Sequence, residues 1–397
     1  MKFTLPENAF PPLDLTKEQQ AALIQEAQAV VRETLEENEA FLAGGSKFSS
    51  AKWRLVRARD GLNVYGERRP AASTLDKQLS GLVSPGSHSA AWSTGDRSRA
   101  GMEQSTMSTD MESSTSSVLA RSKLMQRPVM VLHGTVDGSL DDCMFGTFAS
   151  TDEAWKWRSS HINDRLDDAR ILATIRKPTH DDPFQFLGIK WFAKERPAVL
   201  SSIMQQRDYL IMEATGLTKD SRGKNRLSLC FIDRQKGPGK VEKYCRNYSD
   251  PGGKIMDRVA AAVEAEAIIS ASKVVDYAYV KKLTWLMKEK GAPPRESDRA
   301  GMPRPKRCET CFKSFSKFAL TGVSSACAIC RRAMCAKCSV VKKMTVDVSS
   351  TGAVKQCTLR FCLNCLMEAK EQSVWNMALS GVETASETSS TSGSGYR

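Results

Sequence analysis

Histidine is scarce. The 397 residues contain four, His88, His133, His161 and His180, and no two stand at a metal-ligand spacing. The chain contains no Gly-x-Ser-x-Gly elbow, no complete P-loop and no His-Glu-x-x-His. The nearest approach to a P-loop, Gly223-Lys224, is followed by Asn225 and lacks the upstream glycine spacing. Hydrolase, kinase and metalloenzyme chemistry therefore has no residues to rest on, and the expectation is a protein that is not an enzyme. There is no run of 18 apolar residues, so no transmembrane helix is expected. Residues 1–14 carry Pro, Glu and Asp without an apolar core, so no secretory signal is read and a cytoplasmic address is expected. In that compartment the 12 cysteines stand as thiols, thiolates or metal ligands, not disulfides.

What is present is globular in composition: 41% hydrophobic and 26% charged residues, with length for two or three domains. Lys and Arg total 58 against 45 Asp and Glu, a net charge of +13. The cysteines divide the chain. Cys143, Cys230 and Cys245 are scattered, whereas the other nine crowd between Cys308 and Cys365. A small Cys-rich module, 308–370, thus follows a larger body, 15–290. Residues 291–307 join them, with Pro293, Pro294, Pro303 and Pro305 among alternating charges, the composition of a linker. Residues 71–117 hold 18 Ser or Thr with little aliphatic periodicity and read as a disordered insertion. The Ser, Thr and Gly of 382–397 read as a disordered tail.

In the body, Thr16 and Gln19 fit a capping box that opens a helix, and Gly44-Gly45 stops it. Residues 53–57 and 62–65 form strand patterns around the hairpin signal Asp60-Gly61. A strand follows at 129–136. Ser150 and Glu153 fit a second capping box, for a helix carrying Trp155 and Trp157. Strands are predicted over 169–175, 184–192, 207–215 and 226–233, then one long helix over 255–290. Helix, strands, helix, strands and a long helix, with short connections, define an α+β fold with an antiparallel sheet.

Several of these residues carry a family likeness. Trp53 with Leu62-Asn63-Val64-Tyr65, Trp155-Lys156-Trp157, Arg207-Asp208-Tyr209-Leu210 and the turn Gly252-Gly253-Lys254-Ile255 together resemble the START lipid-transfer domain, the helix-grip fold. Met256 stands where that family usually has Pro, and the Ser/Thr insertion departs from its compact form. The resemblance implies an antiparallel sheet gripped by a long C-terminal helix, with one lipid or sterol-like molecule bound between them. The same Trp, Phe and Met residues equally suit a filled core.

The Cys-rich module has four Cys-x-x-Cys pairs: Cys308 and Cys311, Cys327 and Cys330, Cys335 and Cys338, Cys362 and Cys365. Eight thiolates supply two tetrahedral zinc sites, and no His lies among them. Cys357 is left over as a small buried residue. A segment this short depends on the metal for much of its folding free energy. The separations between pairs, with Phe315-Ser316 and Arg360-Phe361-Cys362, resemble the cross-braced FYVE finger. That resemblance implies that Cys308, Cys311, Cys335 and Cys338 share one zinc, and that Cys327, Cys330, Cys362 and Cys365 share the other. It also implies contact with phosphatidylinositol 3-phosphate on endosomal membranes.

The departures weaken this last implication. The family's basic run before the third Cys is here Val323, Ser324, Ser325 and Ala326, and no Trp precedes Cys308 within 296–307. Of the phosphate-binding set only Arg360 remains, and one Arg falls short of what a phosphate monoester requires. Charge still favours an anionic surface. Residues 302–370 carry 13 Lys or Arg against 3 Asp or Glu, or +10, and two tetrathiolate zinc sites bring this to about +6. Arg331, Arg332 and Arg360 are the candidate phosphate contacts, and Phe318 and Leu320 the candidate membrane-dipping residues. The functional expectation is a non-enzymatic lipid-binding membrane adaptor, peripheral on endosomes, whose finger touches an anionic membrane or a protein partner. A RING-type ubiquitin ligase is the first alternative, but a RING usually carries a ligand His and two or three residues where four separate Cys330 from Cys335. A nucleic-acid-binding zinc protein is the second, resting on charge alone, with no interleaved aromatic and basic pattern.

Overall fold

A computed structural model describes residues 3–6, 8–68, 129–162, 164, 166–195, 208–218, 225–228, 231–248, 257–290, 305–315, 325–349 and 354–391. The Ser/Thr-rich segment 71–117, Arg207, residues 252–256, Phe318, Leu320 and most of the linker lie outside these residues.

Helix α1 (Lys17–Ala43) opens on the expected capping box. Gln19 N donates to Thr16 Oγ1 at 3.2 Å, and Thr16 N donates to Gln19 Oε1 at 2.9 Å. Strands β1 (Trp53–Arg59) and β2 (Leu62–Glu67) turn through Asp60 and Gly61, both at positive φ (50° and 80°), which is what a two-residue hairpin demands. The sheet continues with β3 (Val129–Asp137), β4 (Leu166–Arg176), β5 (Phe186–Lys194), β6 (Asp208–Thr218), β7 (Asn225–Ser228), β8 (Phe231–Gln235) and β9 (Lys240–Tyr248). All pairs are antiparallel, in the order β1-β2-β3-β9-β8-β7-β6-β5-β4.

Period-two alternation sorts the side chains between two faces. Val129, Val131, Ile232 and Tyr244 face α1, meeting Val31, Leu35 and Phe41. Met130, Leu132, Val241 and Cys245 face the other way, into the main core, where α4 (Asp257–Ile269) and α5 (Val274–Glu289) cover them. Arg59 clamps α4 to the sheet edge through a bidentate pair with Glu266, at 2.6 and 2.9 Å. Helix α2 (Leu140–Thr147) packs against α5 so closely that a Cβ on Gly146 would lie 1.8 Å from the Val274 carbonyl oxygen; only glycine permits that approach.

Five elements of the body differ from the sequence-based expectation. The helix of Trp155, α3 (Asp152–Ile162), begins one residue later than read. Thr151 Oγ1, not Ser150, accepts from Ala154 N (3.1 Å), because Thr151 is an equally competent cap. The predicted strand 226–233 is two strands, β7 and β8. Strand β9 and helix α2 were not anticipated. The expected single helix 255–290 breaks into α4 and α5 at a 3₁₀ turn, Ser270–Lys273. No Pro or Gly marks this break. Ser270 Oγ donates to the Ala267 carbonyl at 2.6 Å, a side-chain bond that competes with the helical ladder.

The Cys-rich module consists of β10 (Ser325–Ala326) paired with β11 (Ala333–Met334), the ribbon β12 (Ser339–Val348) with β13 (Val354–Cys362), and helix α6 (Leu363–Glu371). Helix α7 (Val374–Thr391) then returns to the body. The tail expected to be disordered from Val382 is thus helical to Thr391. Its start is anchored by Val374 and Met377, which pack with Met144, Phe145, Phe184 and Ala278, and a helix once nucleated extends readily. Among the described residues no helix is long and apolar enough to cross a membrane.

Candidate functional site

Two groups of four cysteines form in the finger. Cys308, Cys311, Cys335 and Cys338 bring their sulfurs within 4.8 Å of one another, as do Cys327, Cys330, Cys362 and Cys365. These are the sets that the cross-braced resemblance implies. Cys311 Sγ lies 3.8 Å from Cys335 Sγ, and Cys330 Sγ lies 3.7 Å from Cys362 Sγ. A tetrahedron of thiolates at a zinc–sulfur distance of about 2.3 Å has edges of about 3.8 Å, so the cages fit zinc. Each could hold one ion, two in all.

Local chain geometry builds the cages. The residue after the second Cys of the first two pairs takes a left-handed backbone, Phe312 at φ 59° and Arg331 at φ 64°. Each closes a tight knuckle, with Phe312 N donating to Cys308 O (2.8 Å) and Arg331 N to Cys327 O (3.1 Å). Backbone N–H groups also point at sulfur, from Cys335 to Cys308 (3.4 Å) and from Cys362 to Cys327 (3.3 Å). Burial opposes ionisation of Cys308, yet N–H donors from Cys311, Cys335 and Thr310 outweigh it and bring the thiol down to about 6. Cys338 is pushed up to about 12, first by sharing its proton with Cys311, then by burial. Without a cation one thiolate thus forms at its neighbours' expense. A divalent ion lets all four ionise together. With four protein ligands each site is closed, which is structural and not catalytic geometry.

The other residues singled out from the sequence have mixed fates. Arg360 Nη1 donates to Ser339 Oγ at 3.0 Å, a bond across the β12–β13 ribbon. Arg332 is exposed and Arg331 half-buried, both at the knuckle turn. Cys357 is half-buried opposite Met344.

The finger is docked on the body. Ser160 Oγ lies 2.8 Å from Thr345 Oγ1, Lys282 Nζ donates to the Lys370 carbonyl at 3.0 Å, and Lys290 pairs with Glu368 at 2.7 Å. His161 is central to this contact. Its Nδ1 lies 3.0 Å from the Trp157 carbonyl, while Nε2 accepts from Thr345 N at 3.4 Å, an arrangement that needs the neutral ring. Tyr277 of α5 stacks at 4.9 Å, and Lys343 of β12 faces the ring. Burial, with Lys343 adding to it, holds the His161 pKa below 6.5. The docked state therefore binds fewer protons than the undocked one, and docking weakens as the pH falls below about 6.5. Hydrogen exchange in β12 is expected to accelerate at pH 5.5 relative to pH 7.5, after correction for intrinsic rates, and His161→Gln is expected to flatten that difference. Equal pH responses in the two proteins would contradict this role.

A cavity of about 130 Å³ lies between the sheet and the α4–α5 break. Arg158, Glu213, Asp233 and Lys243 line it, beside Phe231, Ala267 and Ala271. Lys243 pairs with Asp233 at 2.5 Å, and Glu213 with Lys190 at 3.0 Å and Arg158 at 3.4 Å. Burial disfavours the charged Glu213, but Arg158 and Lys190 outweigh it and hold its carboxyl below the ordinary range. Two buried polar atoms on the lining residues, Arg158 Nε and Asp233 Oδ1, have no hydrogen-bond partner among the described residues. Sequence reasoning missed this group, because its members pair across strands and helices and share no local spacing. A second groove, about 460 Å³, lies between α1 and the start of β5 with the end of β6, with Ile24, Val31, Phe186 and Leu217 on its walls.

No protein-family model and no curated protein sequence matches the chain. Among solved structures it is similar to human StAR-related lipid transfer protein 5, at 12% identity and a TM-score of 0.34, over 65% of this chain and 98% of that one. Human STARD10 is similar at 11% identity and a TM-score of 0.31, over 65% and 84% of the two chains. A STAR-related lipid transfer protein from Xanthomonas axonopodis is similar at 9% identity and a TM-score of 0.30, over 57% and 98%.

Proposed function

We propose that the chain is a non-enzymatic lipid-binding adaptor. The body takes one lipid between its sheet and C-terminal helices, and the two-zinc FYVE-related finger makes weak contacts with anionic membrane. The cavity carries this reading: it lies between sheet and helix, and its lining offers one orphan donor, Arg158 Nε, and one orphan acceptor, Asp233 Oδ1. Buried polar atoms left without partners cost free energy, and the polar end of a lipid would satisfy both. At about 130 Å³ the cavity is smaller than the ~300–1,000 Å³ of small-molecule sites, so a lipid is accommodated only if the covering helices move. The 3₁₀ turn at Ser270–Lys273, directly over the cavity, supplies the hinge about which α4 swings. On the finger, Phe312 is 75% exposed and Leu363 and Met367 are exposed, apolar groups on a basic module suited to a membrane surface.

Extraction of a fluorescent phospholipid or sterol from vesicles tests the pocket. The native chain is expected to take up one molecule saturably. Ala271→Phe, which fills the cavity, is expected to abolish uptake while leaving zinc content unchanged. Uptake that survives this substitution would move the site elsewhere, and no uptake of any lipid by the native chain would end the reading.

A further inference from the structure

A cleft of about 750 Å³, separate from the 130 Å³ cavity, lies along the seam between body and finger. Its walls come from six places: the β1–β2 turn, the β3–α2 corner, the end of α3, the 3₁₀ turn with α5, the β12–β13 ribbon, and the end of α6. No single part of the chain forms it; it exists only when the finger is docked. That size falls within the range of small-molecule sites.

The charges in the seam do not balance. Four lysines line it, Lys273, Lys342, Lys343 and Lys370, with three aspartates, Asp60, Asp137 and Asp276. The aspartates are engaged. Asp276 pairs with Lys342 at 3.7 Å, Asp137 pairs with Lys240 at 2.6 Å, and Asp60 accepts from Ser272 Oγ at 3.2 Å beside Arg59. Among the described residues Lys273, Lys343 and Lys370 form no ion pair within 4.0 Å. Glu266, whose charge Lys273 also feels, is held by Arg57 and Arg59. Lys370 instead lies 5.2 Å over the Tyr279 ring. Three ammonium groups from the body, the ribbon and α6 thus face one cleft with no carboxylate in ion-pair contact. Like charges gathered on a concave surface focus a positive potential, which a multivalent anion relieves.

We propose that this seam binds a small soluble molecule carrying two or more phosphate groups, held jointly by Lys273 of the body and by Lys343 and Lys370 of the finger. Phosphate suits the site because each group brings roughly −1.5 to −2 charge at neutral pH and several acceptor oxygens, and lysine ammonium groups bind it as point charges. A molecule touching both walls stabilises the docked arrangement by mass action, since only that arrangement has the site. Such a ligand would make finger docking responsive to a soluble metabolite, independently of any lipid in the body.

The test is calorimetric titration of the zinc-loaded full chain with inositol hexakisphosphate and, separately, with pyrophosphate. A third arm uses vesicles containing phosphatidylinositol 4,5-bisphosphate, which present similar phosphates on a membrane. One-site saturable binding of inositol hexakisphosphate is expected, with a rise in the midpoint of thermal unfolding. The double variant Lys343→Ala/Lys370→Ala is expected to lose affinity about ten-fold or more. Lys313→Ala/Lys337→Ala, on the finger but outside the seam, is expected to bind as the native chain does. Zinc content of two per chain verifies that each variant is folded, and Lys273→Ala gives an independent reading from the body side. Absence of saturable binding, equal losses in the seam and control variants, or binding to the vesicles alone would overturn the proposal.

Discussion

Removing zinc is expected to unfold the finger and to loosen the body with it. Both cages sit at the same end of the β12–β13 ribbon, one on each strand: Cys338 precedes Ser339, and Ser339 pairs with Cys362. Loss of either ion frees one of the two strands there. Structural zinc supplies about 10–16 kcal/mol of apparent binding free energy in small finger peptides, more than a module this size gains from its own core. The finger also covers α5. Phe361, Met344 and Ala369 belong to the same buried cluster as Leu283 and Leu286. A chelator should therefore abolish amide protection throughout residues 325–371 and lower the body's unfolding midpoint. Cys335→Ser and Cys362→Ser should each reduce bound zinc from two to one. Full protection after exhaustive chelation would show that the cysteines are merely buried.

The second large effect lies in the body. Lys190 is wholly buried, held by Glu213 at 3.0 Å and by the Ala149 carbonyl at 2.9 Å, with Trp155 and Phe186 rings at 4.8 and 4.5 Å. Glu213→Ala leaves the buried Lys190 and the partly buried Arg158 without their carboxylate. Breaking a buried pair from one side costs about 3–5 kcal/mol, whereas replacing both partners by apolar groups is often neutral. Urea unfolding should show a loss of that order for Glu213→Ala. The double change Lys190→Met/Glu213→Leu should recover much of it. If the single variant matched the native chain, the charges would not be buried as described.

How much of this was legible in the sequence depended on how local each feature is. Thr16 with Gln19, and Asp60 with Gly61, announce a helix start and a hairpin because every atom involved lies within four residues. The eight ligand cysteines were legible because Cys-x-x-Cys places two sulfurs on one ion. The grouping of the pairs came from the likeness to a cross-braced finger, as spacing alone left it open. Strand β9 was hidden by its own charges: Glu242 and Lys243 are both buried in it, so the run shows no apolar alternation. Lys243 is tolerable there only because Asp233, on the neighbouring strand, stands opposite. The break between α4 and α5 was hidden because no Pro or Gly stands at it, and the Ser270 side-chain bond found there leaves no mark in the sequence pattern. The cavity and the seam are made by segments more than 100 residues apart, and no local pattern could report them. The lipid reading therefore entered through a family likeness in the sequence and takes its site from tertiary structure, and the zinc reading rests on sequence and structure together.

A native mass spectrum of the full chain after incubation with mixed vesicles tests the central claim most directly, because it counts metal and lipid on one molecule. The account predicts a dominant species with two zinc ions and one lipid, and a species with two zinc ions and no lipid for Ala271→Phe. A native chain that carries two zinc ions but never a lipid would contradict the lipid-binding body. A chain without zinc would contradict the finger.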